Sequence, residues 1–150
     1  MSLFQYPDQQ FPKRVHLLGK GRHEEGVAGG TITPGQLIEL NSSGNYVVHS
    51  SSGGYAEKAF AIEDALQART LDDDYAADER VSFVLAQPSD VVYAWLADGE
   101  TVDSGTFLES NGNGDLKEHS SGAVVAVALE AVDLSASSNT THGRLRIRVL

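Results

Sequence analysis

Histidines, a dense carboxylate run and scattered serines are the side chains of this sequence able to do acid–base, metal or nucleophilic chemistry. Cysteine is absent, which excludes disulfides and thiolate zinc sites. The histidines are His16, His23, His49, His119 and His142. No two stand at i, i+4, the spacing that puts two ligands on one helix face, and each falls in an arm, a strand end or a loop. They are expected to be scattered surface groups rather than metal ligands or a general base. Asp72, Asp73, Asp74, Asp78 and Glu79 offer hard oxygen ligands. They lack the alternating acids, turn glycine and distal glutamate of a calcium loop, so they read as a solvated acidic loop. A serine hydrolase would need a strained Gly-x-Ser-x-Gly turn, which is missing, and Ser50-Ser51-Ser52-Gly53-Gly54 reads as loop. Asn111-Gly112-Asn113-Gly114 resembles a phosphate cradle in composition, but neither a helix nor Gly-Lys-Ser/Thr follows. No catalytic residue, metal or cofactor is therefore expected, and the protein is expected not to be an enzyme.

The elements that carry these residues read as all-β. Beyond Gly26, short apolar runs alternate with polar residues between Gly, Asn, Ser and Pro. The predicted strands are Gln36 to Leu40, Tyr46 to His49, Ala59 to Leu66, Arg80 to Leu85, Val91 to Leu96, Phe107 to Ser110, Leu116 to Glu118, Val124 to Ala131 and Arg144 to Val149. Ala56 to Ala77 has alanine enough for a helix; the reading adopted is a strand to Leu66, then a short helical turn or loop. Thr33-Pro34-Gly35, Asn41 to Asn45 and Asn111 to Asp115 supply tight turns. Val124 to Leu129, rich in Val and Ala, is expected to be a central strand with small neighbours. In the last strand, period-two alternation sets Leu145, Ile147 and Val149 on a core face and Arg144, Arg146 and Arg148 on the other. Those cations read either as a solvated edge that discourages pairing or as a strip for carboxylates of the acidic body or of a neighbouring subunit.

Residues 1–26 show neither period. Pro7, Pro12, Gly19, Gly21 and Gly26 break regular structure, yet Phe4, Tyr6 and Phe11 are apolar anchors. The segment is read as an extended N-terminal arm lying on a surface, followed by one domain over residues 27–150. The chain of 150 residues has a formal charge of −10, with Lys13, Arg14, Lys20 and Arg22 near one end and the three arginines near the other. An acidic middle repels phosphate backbones, so nucleic acid is not an expected partner. Apolar runs are too short for a membrane helix, and no signal-peptide core is present; the protein is expected to be soluble, made in the cytoplasm and not exported by a cleaved leader.

Three stretches carry a resemblance. Gly29 to Leu40, Ala59 to Asp64, and Tyr93 to Leu96 with Val102 to Leu116 are similar to the decoration or cement proteins of tailed-bacteriophage heads, over about Gly29 to Leu129. The resemblance implies a small β-protein, often trimeric, that binds the outside of the expanded capsid between capsomers, with the major capsid protein as partner and the virion as location. Together with the turn chemistry, it leads to an expected all-β fold, a small β-barrel or β-tulip-like domain with turn-rich hairpins behind the arm. Phe4, Tyr6, Phe11, Lys13 and Arg14 are the capsid-contact candidates, and Arg144, Arg146 and Arg148 the subunit-contact candidates. Two alternatives remain. The run through Asp98-Gly99-Glu100-Thr101-Val102 and Ser104-Gly105 resembles biotinyl and lipoyl carrier modules, for which Lys117 is the nearby lysine. A carbohydrate-binding β-module would use Trp95 as a stacking platform.

Overall fold

The computed structural model describes residues 12–135 and 143–150. The chain is all-β there, and its one helical turn among the described residues is Ala65–Gln67. The strands are β1 (His16–Leu18), β2 (Arg22–Val27), β3 (Leu37–Leu40), β4 (Tyr46–Val48), β5 (Ala59–Ala61), β6 (Arg80–Leu85), β7 (Val91–Trp95), β8 (Thr101–Val102), β9 (Phe107–Ser110), β10 (Leu116–Glu118), β11 (Val124–Ala128), β12 (Val132–Asp133) and β13 (Arg144–Val149). One sheet has the order β2-β6-β5-β3-β4; the other has β1-β7-β13-β11-β9-β10; β8 and β12 form a short ribbon. All the strand pairings are antiparallel.

With β1 set aside, the two large sheets have one topology: β2, β3, β4, β5 and β6 correspond in turn to β7, β9, β10, β11 and β13. The registers agree as well. Ile38 faces Val48 as Leu108 faces Glu118, and Leu40 faces Tyr46 as Ser110 faces Leu116. Ala59, Phe60 and Ala61 face Leu85, Val84 and Phe83 as Ala126, Val127 and Ala128 face Val149, Arg148 and Ile147. The correspondence reaches single side chains, because Asn41 Oδ1 accepts the Ser43 and Asn45 N–H groups just as Asn111 Oδ1 accepts those of Asn113 and Asp115. The chain is thus two copies of one β-module, with the linker at residues 87–90. Gly35, Glu39, Asn41, Gly44 and His49 recur at one constant offset as Gly105, Glu109, Asn111, Gly114 and His119.

Each module curls until its ends meet at one parallel bridge, Ala28 with Tyr46 and Leu96 with Leu116. No continuous ladder crosses either seam, so neither sheet is a closed barrel. Inside the first roll Ile38, Ala59, Ala61, Tyr75, Val81 and Phe83 form a small core. On its outside Leu37, Phe60 and Val84 join Val92, Ala94, Leu108, Leu145 and Ile147 in a larger core between the modules. Alternation explains the split, since Leu37 and Ile38, or Phe60 and its alanine neighbours, point to opposite faces.

Several expectations are corrected. The arm cannot extend to Gly26: β1 pairs with β7, and β2 pairs along its whole length with β6. The body therefore begins before His16, and β2 was invisible to periodicity because an edge strand with polar residues on both faces has none. Expected strand Ala59 to Leu66 stops at Ala61, and Ala68 in the left-handed region (φ 59°) ends the helical turn that follows. Strand β13 lies between β7 and β11, so its arginines do not mark a solvated edge. The predicted central position of β11 is what the sheet order gives.

The turn at residues 111–115 locks the modules together. Gly114 N–H donates to His49 O at 3.1 Å, and Leu37 N–H donates to Gly114 O at 2.8 Å. Gly114 and its counterpart Gly44 share a positive φ, 84° and 85°. A Cβ on Gly44 would meet nothing within 4 Å, whereas one on Gly114 would lie 2.9 Å from Val48 Cβ. Gly44→Ala is expected to cost about 1 kcal/mol of unfolding free energy through backbone strain alone. Gly114→Ala is expected to cost about 1–3 kcal/mol more, from overpacking. Urea unfolding measures both; equal losses would show that this turn is not a seam.

Candidate functional site

Of the described histidines, His49 is buried, His16 and His119 are half-buried against buried carboxylates, and His23 is exposed, as expected of a surface group; His142 lies outside the described residues. His49 is 1% exposed, its Nδ1 is 2.6 Å from Ser110 Oγ and its Nε2 is 2.8 Å from Tyr55 O. A carbonyl only accepts, so in the neutral ring Nε2 carries the proton and Nδ1 accepts the Ser110 hydroxyl. Glu39 Oε1 stands 3.6 Å from Nε2, completing a carboxylate–imidazole–hydroxyl order. The hydroxyl is no nucleophile, because Ser110 is wholly buried and its Oγ already accepts the Gly112 N–H at 3.1 Å.

The second module uses the same two positions differently. Glu109 is 2% exposed, and its Oε1 accepts the Ser120 and Gly122 N–H groups and pairs with His119 Nδ1, all at 2.9 Å. Those donors, the Ser120 N–H foremost, lower its carboxyl to about 2, against the opposing effect of burial. Lys117 Nζ lies 3.6 Å from Glu109 Oε2 and donates to Ser52 Oγ at 2.9 Å. This lysine sits inside β10 rather than at a hairpin tip, where a carrier module presents its attachment site.

A third cluster fastens the start of the body. Asp90, 2% exposed, accepts the N–H groups of Lys20, Gly21 and Gln87. Its Oδ2 is 3.1 Å from His16 Nε2, and His16 Nδ1 is 2.9 Å from His23 Nε2. With Asp90 ionised, His16 donates from Nε2, and a neutral His16 accepts at Nδ1 from His23. Burial first, and then the neighbouring His16, hold His23 below the usual histidine value. The chain ties the strands at its start to the linker between modules; among the described residues no group of three or more His, Asp or Glu is arranged to hold a metal ion.

Of the candidate contact residues, Phe4, Tyr6 and Phe11 lie outside the described residues. Lys13 and Arg14 are exposed in the bend before β1. The three arginines separate. Arg144, with its side chain 9% exposed, stacks with Cζ 4.4 Å from the centre of the Trp95 ring. It donates to Pro34 O and Leu71 O and pairs with Asp72 at 3.3 Å. Trp95 Nε1 donates to the same Pro34 O at 2.9 Å, and a Cβ on Gly143 would come within 2.8 Å of the ring. Trp95 is therefore engaged internally and offers no open stacking platform. Arg146 pairs with Glu130 at 3.1 Å, and Arg148 is exposed. The carboxylate-strip reading holds within the chain for the first two.

What remains available for contact is surface. Tyr55 and Leu66 are each 94% exposed. Leu66 stands on the helical turn beside a groove of about 530 Å³ lined by Ile62, Glu63 and Ser82 and by His23 and Glu25 of β2. Exposed apolar groups beside acids were not singled out in the sequence, because Leu66 reads there as the end of a strand.

No protein-family model matches the chain, and no curated protein matches it. The fold is similar to that in the crystal structure of the head fiber gp8.5 N base of bacteriophage phi29, with a TM-score of 0.56 and 8% sequence identity, covering 87% of this chain and 95% of that one. At that identity the likeness is one of fold.

Two measurements test the buried polar groups. Because the Glu109 carboxyl in the folded chain lies at about 2 against an ordinary 4.5, its contribution is full above pH 4.5 and is lost as pH falls towards 2. Glu109→Gln is expected to destabilise by roughly 3 kcal/mol at pH 7, with the gap from wild type closing between pH 4.5 and 2. A pH-independent gap would exclude ionisation as the cause. Arg144→Met is expected to cost about 1–3 kcal/mol by leaving the Leu71 carbonyl without its side-chain donor, while Pro34 O keeps that of Trp95. It should also change the emission of the single tryptophan; unchanged fluorescence and melting would remove Arg144 from the seam.

Proposed function

We propose that this protein is a structural component of a tailed-phage head: a decoration, or cement, protein that binds the outer surface of the expanded capsid and steadies contacts between neighbouring capsomers. The observation that carries the reading is the likeness of fold to a phage head fiber base over most of both chains. The polar chemistry agrees with it, since His16, His49 and His119 and the buried carboxylates Asp90 and Glu109 serve internal bonds. A protein that acts by binding an assembled lattice stabilises it through contacts that free subunits cannot make. Contact with several capsomers at once makes the later contacts intramolecular and multiplies modest affinities. The duplicated module suits this role, because one chain brings two outward faces to a repeating array, and a homotrimer extends that number around an axis.

The partner in this reading is the major capsid protein. Residues 1–11, with Phe4, Tyr6 and Phe11, form the bridging segment, and Lys13 and Arg14 at the edge of the body supply charge. Aromatic and arginine side chains dominate interface energies. Neither the carrier nor the carbohydrate alternative is favoured by an observation, given where Lys117 and Trp95 lie.

Co-sedimentation with emptied, expanded phage heads, combined with light scattering of the free protein, tests the reading. Trimers that saturate fixed lattice sites are expected. Removing residues 1–11 should weaken head binding by about tenfold or more, the scale of one interface hot spot. Circular dichroism and melting should stay unchanged. Removing residues 1–26 instead deletes β1 and β2, one strand from each sheet, and should unfold the body. A monomer without affinity for heads would overturn the proposal.

A further inference from the structure

Glu63 and Glu130 hold the same place in the two modules, at the ends of Ala59-Phe60-Ala61-Ile62-Glu63 and Ala126-Val127-Ala128-Leu129-Glu130. The backbone beside them is also shared: Ile62 N–H donates to Ser82 O at 2.9 Å, and Leu129 N–H donates to Arg146 O at 3.0 Å. Ser82 and Arg146 are thus counterparts. In the second module Arg146 takes up Glu130, its backbone N–H donating to Oε2 at 2.7 Å and its Nη1 to Oε1 at 3.1 Å. In the first module a serine stands in that place, and in front of it lies the open groove of about 530 Å³ that Glu63 lines.

We propose that this groove is a docking slot for an arginine side chain carried on an extended segment of a partner protein, its guanidinium standing where the Arg146 guanidinium stands in the second module. The charge of the slot suits a cation, because Glu24, Glu25, Glu63 and Asp64 all line it. Glu24 and Glu25 already pair with Arg22 and Arg80 at the rim. Glu63 accepts the Val15 N–H through Oε1 at 2.9 Å, and its Oε2 receives no hydrogen bond among the described residues. Arginine fits better than lysine, since a planar fork can engage a carboxylate and a neighbouring acceptor together. Leu66, 94% exposed at the rim, with Ala65, gives an apolar shelf for the residue flanking the arginine. The partner is a different protein rather than a second copy, because a chain of formal charge −10 approaches this acidic face against repulsion. Nothing in the slot depends on the phage-head reading, and a peptide probe lets the two fail separately.

The test uses the full chain labelled for backbone amide resonances, titrated with acetyl-Leu-Arg-Leu-amide and with its lysine analogue. The arginine peptide is expected to shift the amides of Glu63, Leu66 and Ser82 and to bind at least about fivefold more tightly than the lysine peptide. Ser82→Arg rebuilds the intramolecular pair of the second module. It should keep the wild-type amide pattern elsewhere and weaken peptide binding by about tenfold or more. Glu63→Gln should weaken binding similarly, and because Glu63 also holds Val15, the Ser82→Arg result decides should that variant loosen β1. Absence of localised shifts at millimolar peptide, or undiminished binding to the Ser82→Arg protein, would overturn the slot. Self-association that Ser82→Arg abolishes would overturn the choice of partner, by showing a second copy in the groove.

Discussion

The first module's sheet must be buried on both faces, and most of the architecture depends on that constraint. A β-strand sends alternate side chains to opposite sides, so β3, β5 and β6 need two apolar environments at once. Rolling the sheet supplies one, around Ile38, Tyr75, Val81 and Phe83; docking its outer face on the second module supplies the other, around Leu37, Phe60 and Val84. Phe60 is the pivotal group, since it is wholly buried on the strand between β3 and β6 and points into the shared core. Burying such a side chain stabilises by about 1.5–3 kcal/mol relative to leaving it in water. Neither module can supply that alone, which makes the pair the folding unit.

Once two rolled sheets are pressed together, the polar groups at their junction must be satisfied from within. The turn at residues 111–115 exchanges backbone bonds with β3 and the end of β4. Arg144 reaches from the second module to the Pro34 and Leu71 carbonyls of the first. Its burial lowers the guanidinium from the ordinary arginine value, with Asp72 opposing that shift. The same demand accounts for His49 between Ser110 and Tyr55 O. Arrangements that look catalytic by residue type, at His49, Glu109 and Asp90, are thus also internal fastenings.

The sequence disclosed strands wherever alternation met turn chemistry. Arg80 to Leu85, Phe107 to Ser110, Leu116 to Glu118 and Arg144 to Val149 have the limits expected from the sequence, since each is a run of alternating side chains next to a loop or turn. Arg22-His23-Glu24-Glu25 gave no period, since β2 lies at an edge and its polar side chains face both ways. The two-residue strands β8 and β12 are too short to have one, although Val102 was expected inward and is 3% exposed. The β13 arginines suggested an edge because a charge on a central strand is costly unless paired, and the pairs, Asp72 and Glu130, come from distant segments that the sequence alone does not bring near. The repeat was legible in principle. Glycine, glutamate, asparagine, glycine and histidine return at identical spacing, but the glycines and asparagine read as local turn punctuation and the glutamate and histidine as ordinary strand and strand-end residues until the two registers are compared.

Duplication also bears on how the chain acts. When one module is used twice in a single chain, positions that are equivalent in backbone but different in side chain separate what the fold needs from what each copy does. Gly35 and Gly105, or Asn41 and Asn111, are kept because the backbone demands them: both glycines have positive φ, and both asparagines cap the following turn. Ser82 and Arg146 are not kept, although their backbones bond alike. The arginine closes the second module's surface on its own Glu130, and the serine leaves Glu63 facing a groove with Leu66 at its rim. The two outer faces are therefore chemically unequal, one self-neutralised and one acidic with an exposed apolar group. For a protein read as acting by attachment, that inequality gives the module pair a direction, with the acidic face of the first module the one offered to a basic partner.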